Sequence, residues 1–126
     1  MTNTNFVPTA MFFDDSDCVE YLREDAFCVY DRIDEFLTLV YDETKINVIG
    51  FKLKGFKYFF REHLQAIYKL NGLQFLDLSD VIESVCKEIG DQLFDDEARE
   101  RAYKAVRKIA ANDNAKIYSS DLKLAA

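Results

Sequence analysis

The chain is poor in the residues that punctuate or staple a fold. Its 126 residues include one proline, four glycines, one histidine and no tryptophan. So little Pro and Gly, beside 49% hydrophobic residues, excludes a low-complexity or disordered chain. Few glycines also argue against a backbone cradle for phosphate. None of GxGxxG, GxxxxGK[ST] or GxSxG is present. The three cysteines, Cys18, Cys28 and Cys86, form an odd set without a CxxC spacing, which suits free thiols in a reducing cytosol. No apolar run approaches the ~20 residues of a membrane-spanning helix, and "MTNTNFVPTAMFFDD" lacks the parts of a secretory leader. A cytoplasmic protein without membrane association is expected. One histidine cannot build a His-based metal site, so neither metal nor cofactor is expected.

What the chain has is charge in blocks. Its net charge is −7. Residues 1–50 carry 3 basic and 11 acidic side chains, and residues 73–97 carry 1 and 8. Between and after them, residues 51–72 carry 5 and 1, and residues 98–126 carry 7 and 3. Alternating blocks imply neutralisation within the fold or between copies of it. An acidic domain argues against non-specific nucleic-acid binding, which draws its affinity from Lys and Arg on phosphates.

The length fits one domain, 1–126. Residues 1–13 are expected to form an irregular arm, and residues 115–126 a partly frayed tail. Val19–Leu22 reads as a short strand. Phe27–Ile33, "EFLTLVY" and "INVIGFKLK" are rich in β-branched and aromatic residues and alternate as strands do, with a loop near Asp42–Ile46. Ile49, Phe51 and Leu53 are expected on one face of the last strand and Lys52 and Lys54 on the other. "EFLTLVY" is apolar on both faces, so one face needs a cover: the arm or a second copy. The phrase "LVYDETKINVIGFKLKG" resembles hairpins of several small bacterial proteins, a resemblance that implies a hairpin and no activity.

Helices follow. Phe56, Phe59, Phe60, Leu64 and Ile67 recur at helical spacing and stop at Asn71–Gly72. A second helix begins at Asp77 or Ser79 and carries Ile82, Val85, Cys86, Ile89 and Leu93 on one stripe, with Gly90 as a soft spot inside it. A third, capped by Asp95 or Asp96, shows a small-residue face at Ala98, Ala102, Ala105, Val106 and Ile109 and ends at Asn112–Asn114. The expected fold is therefore α+β, with an N-terminal three-stranded antiparallel meander packed against three C-terminal helices.

Each candidate site competes with a structural role. His63 shares the apolar stripe of the first helix, and its helical neighbour Glu62 points elsewhere. It reads as packing first and as a weak catalytic candidate second. Basic residues interleave with aromatics in "FKLKGFKYFFR", a pattern found in single-strand binders. Helical geometry turns Phe56, Phe59 and Phe60 inward and Lys57 and Arg61 outward, which leaves Tyr58 alone for stacking. Asp31, Asp34 and Glu35 suit a turn, or an ion pair with Arg32, Lys52 or Lys54, better than acid–base work. Cys86 sits on an apolar stripe as a small core residue.

The expected function is a small, non-enzymatic binding or regulatory protein that works through protein–protein contacts and self-associates. Its interface candidates are Leu37, Leu39 and Tyr41 on the two-sided strand and Arg101, Lys104 and Lys108 on the last helix, whose basic flank could dock on an acidic region of another copy. Two alternatives stand beside it. One is a small enzyme or ligand-binding domain with a sheet–helix pocket around His63 and a tyrosine such as Tyr30 or Tyr58. The other is an acidic antitoxin-like inhibitor or nucleic-acid mimic.

Overall fold

The computed structural model describes residues 8–55, 75–93 and 95–118. The fold is α+β. Five strands, β1 (Ala10–Phe13), β2 (Cys18–Leu22), β3 (Val29–Arg32), β4 (Leu37–Tyr41) and β5 (Val48–Lys54), form one antiparallel sheet in the order β1-β2-β5-β4-β3. A second ribbon pairs β6 (Phe75–Asp77) with β7 (Lys116–Tyr118). Two helices, α1 (Leu78–Ile89) and α2 (Glu97–Asn112), lie between those ribbon strands in the chain, with a short 3₁₀ turn at Gly90–Leu93.

The expected meander is present as β3-β4-β5, joined by tight connections. The sheet is larger than three strands because β2 pairs with the free side of β5, and β1 pairs with β2. The arm is thus not irregular throughout: Ala10–Phe13 completes the sheet. Within the tail, Lys116–Tyr118 is a strand, paired with Phe75–Asp77. Two of the three expected helices are α1 and α2. The one expected from Phe56 to Asn71, with His63, Lys57, Tyr58 and Arg61, lies outside the described residues.

One irregularity re-aims β5. Val40 stands opposite Gly50, but Tyr41 stands opposite Val48, which leaves Ile49 as an extra residue. Phe51 and Leu53 join the core as their alternation implies, while Val48 and not Ile49 packs against that same cluster. Gly50 faces Leu22 and Val40 across the strands. A Cβ there would collide with the Tyr21 carbonyl oxygen.

The core is the layer between this sheet and the two helices. Val19, Tyr21, Leu37, Leu39, Phe51 and Leu53 meet Leu78, Val81, Ile82, Val85, Tyr103, Val106 and Ile109 in one buried cluster. Ala102 and Ala110 are small enough to let α2 approach closely, and both are buried. Ala98 is exposed, and Tyr103 replaces it on the buried face. Asp96 caps α2, its Oδ1 accepting from the amides of Ala98 and Arg99 at 3.0 and 3.1 Å. Asn114 takes a left-handed φ of 53° just past the end, and the Ala115 amide returns to the Ala110 carbonyl. Gly90 is not a weak point within α1 but its stop, at φ 66°.

Candidate functional site

Two side-chain constellations fix α2 on the sheet, one near each end of the helix. Asp34, in the β3–β4 turn, uses both carboxylate oxygens. Oδ1 accepts from the amides of Phe36 and Leu37, each at 2.8 Å. Oδ2 accepts from the Tyr103 hydroxyl at 2.6 Å and from Arg99 Nε at 2.9 Å. Burial opposes the charge of this carboxylate, yet the four donors outweigh it and hold its pKa below the ordinary value. Burial first, and then the adjoining Asp34 carboxylate, push the Tyr103 phenol well above the ordinary tyrosine range.

The second constellation has the same three residue types with the layers exchanged. Asp113, the C-cap of α2, accepts from the Tyr21 hydroxyl at 2.8 Å. Arg23 grips it with two prongs, Nε to Oδ2 and Nη2 to Oδ1, both at 2.8 Å. Burial and Asp113 raise the Tyr21 phenol as well. Every carboxylate in these two sets is already taken up by fixed donors. They join layers and offer no open coordination or proton-transfer position.

The other face of the sheet carries Met11, Phe13, Cys18, Glu20, Lys52, Thr38, Val40 and Tyr30, as the strand register requires. Lys52 is its hub, paired with Glu20 at 3.2 Å and standing 4.4 Å over the Tyr30 ring. Burial opposes the Lys52 charge, but Glu20 more than compensates and raises its pKa. Cys18 and Val40 are buried on this face, whereas Met11, Phe13 and Tyr30 are exposed. An open groove of about 520 Å³ runs from Phe13 and the Asp14–Ser16 turn to Glu20 and Lys52.

A third feature sits at the end of the sheet where the β2–β3 and β4–β5 loops come together. Glu24, Asp25, Ala26 and Phe27 from one loop and Asp42, Glu43 and Thr44 from the other line a groove of about 540 Å³. Phe27 and Ile46, on these two loops, are the most exposed large hydrophobic residues described, at 77% and 76%. The second loop is locally stiff. Asp42 accepts from the Thr44 hydroxyl at 2.6 Å and the Asn47 side-chain amide at 2.9 Å. Those bonds pull its pKa down to about 2.

The residues expected at an interface divide. Leu37 and Leu39 lie in the core beneath the helices, so they are not exposed for contact with a partner. Tyr41 is half-buried and packs against the same cluster. Arg101, Lys104 and Lys108 are exposed on α2, at i, i+3 and i+7 spacing and hence along one stripe. Lys104 also reaches Glu100 at 2.8 Å. Asp34 does form a turn, but its ion partner is Arg99 from α2 and not the expected Arg32, Lys52 or Lys54. Burial raises the thiols of Cys18, Cys28 and Cys86, which disfavours the reactive thiolate. Among the described residues no group of three or more His, Cys, Asp or Glu could hold a metal ion, and no helix is long and apolar enough to cross a membrane.

Nothing in the sequence pattern singles out Tyr21, Arg23, Tyr103 and Asp113, which clasp α2 to the sheet. The spacing of Tyr103, four residues after Arg99, does put those two on the same helical face. No family model, curated protein or solved structure matches this chain.

Proposed function

We propose that the chain is a binding protein, acting through protein–protein contact, and that the acid-rimmed groove beside Phe27 and Ile46 is its contact surface. One observation carries this reading. Two large apolar side chains stand more than three-quarters exposed on loops that also present Glu24, Asp25, Asp42 and Glu43. Leaving Phe and Ile in water forgoes roughly 1.5–3 kcal/mol each, which a partner could recover by covering them. The acidic rim selects what covers them: a basic protein surface with apolar side chains among its cations. Self-association belongs to the same reading, since the chain carries basic segments of its own.

The test is an amphipathic peptide of alternating lysine and leucine turns, followed by fluorescence anisotropy. Binding should weaken as salt rises, because exposed charges are screened over ~8 Å at physiological ionic strength. Phe27→Ser should weaken it by about tenfold, the equivalent of one buried aromatic contact. A peptide that binds Phe27→Ser as well as it binds the unaltered chain would place the contact elsewhere and refute the assignment.

A further inference from the structure

We infer that the groove at Phe27 receives the basic stripe of α2 from a second copy of the chain, in a head-to-tail contact. This rests on the groove being a contact surface, and adds the identity of its occupant. Three observations support it. The groove and the stripe are opposite in sign: Glu24, Asp25 and Glu43 are exposed on one, Arg101, Lys104 and Lys108 on the other. The stripe runs beside small residues, with Ala105 half-buried between Arg101 and Lys108 and Ala111 exposed one turn on. Between the cations the helix surface is low, so Phe27 can reach it there while the long Arg101 and Lys108 side chains extend past the ring to the carboxylates. Third, one molecule cannot satisfy both surfaces by itself. The groove lies at the β2–β3 and β4–β5 end of the sheet, whereas the stripe lies on the outward side of α2, whose inward face packs on the sheet.

A contact between two different surfaces does not close on itself as a twofold dimer does. It builds rings or open chains. The mass in solution should therefore rise with concentration past twice the 14.7 kDa of one chain, and fall as salt is added.

Charge reversal tests the pairing. Glu24→Lys with Glu43→Lys makes the groove basic; Arg101→Glu with Lys108→Glu makes the stripe acidic. All four positions are exposed, and circular dichroism checks that each double variant folds. Each variant, studied by sedimentation, should associate at least about tenfold more weakly than the unaltered chain. An equimolar mixture of the two should regain association, because the basic groove then meets an acidic stripe and the acidic groove a basic one. An unaltered chain that stays monomeric at millimolar concentration overturns the inference, and so does a mixture that fails to associate. The lysine–leucine peptide separates the two levels. If it binds at Phe27 while the chain remains monomeric, only the second-copy occupant is wrong; if it does not bind, the groove itself is not the contact surface.

Discussion

The two Tyr–Arg–Asp clasps of α2 have the same chemistry and opposite polarity. Near the N-terminal half of the helix the sheet side provides the carboxylate, Asp34, and the helix provides Arg99 and Tyr103. At the C-terminal end the helix provides Asp113 and strand β2 leads in Tyr21 and Arg23. They differ in their access to water. The ion pair at Asp34 leaves its side chains 20% and 11% exposed, while the one at Asp113 leaves 41% and 17%. Depth decides what each is worth. A deeper pair broken on one side leaves its partner poorly hydrated, whereas a half-wet pair hands its partner back to solvent.

Removing the carboxylates exposes this difference most strongly. Asp34→Ala leaves the Tyr103 hydroxyl and the Arg99 guanidinium without their acceptor and frees two turn amides. It should cost about 3 kcal/mol in urea unfolding, most of it from the buried Tyr103 hydroxyl and the two turn amides left without their acceptor. Asp113→Ala should cost about 2 kcal/mol, most of it from the Tyr21 hydroxyl, since Arg23 can turn outward. Equal losses at the two sites would mean that depth is not the deciding variable.

Acid should sharpen the contrast by a smaller amount. Asp34 has a depressed pKa in the folded state, so its contribution is full above the ordinary value of 3.8 and is lost as pH falls through the lower folded value. Asp42 titrates with the same sign, between 3.8 and about 2. Asp34→Asn should flatten the acid limb of a stability–pH curve below pH 3.8, and Asp42→Asn should flatten it independently. A limb unchanged by Asp34→Asn would show that the Asp34 clasp does not drive acid unfolding.

Much of the scaffold was legible because its signals are local. β4 and β5 are five and seven residues rich in β-branched and aromatic side chains, with Phe51–Lys54 alternating, and Asp96 announces α2 three residues before Arg99. The edges were not legible for the same reason. Ala10–Phe13 and Lys116–Tyr118 are too short to reveal a period, and only pairing with Cys18–Tyr21 and Phe75–Asp77 makes them strands. Strict alternation puts Ile49 on the face of Phe51 and Leu53; Ile49 is buried, at 3% exposure, but the extra residue in β5 sets it outside the cluster those two join. The clasps join residues 69 and 92 positions apart, so no spacing rule can bring them together. Leu37 and Leu39 were correctly read as an apolar face, but the helices cover it within the same chain. The groove was within reach in part: the excess of acid in residues 1–50 was visible, whereas the exposure of Phe27 and Ile46 was not.

The smallest effect is the most discriminating, because it sets geometry against depth. Arg23 holds Asp113 by a two-pronged grip; Arg99 touches Asp34 through Nε alone. If bond count governed, Arg23→Lys would be the costlier change, since an ammonium cannot reproduce the fork. Exposure argues the reverse. Arg23 is 41% exposed, so water replaces a lost prong, and the expected cost is about 0.5 kcal/mol. Arg99 is 20% exposed and is wedged beside Tyr103 on the same carboxylate oxygen. A lysine there must place its charge where the guanidinium nitrogen was, with little water to help, at about 1–2 kcal/mol. Urea midpoints for the two variants, measured at low and high salt, decide between these accounts. A larger loss at Arg23 would make the prongs, and not the depth, the source of the difference between the two ends of α2.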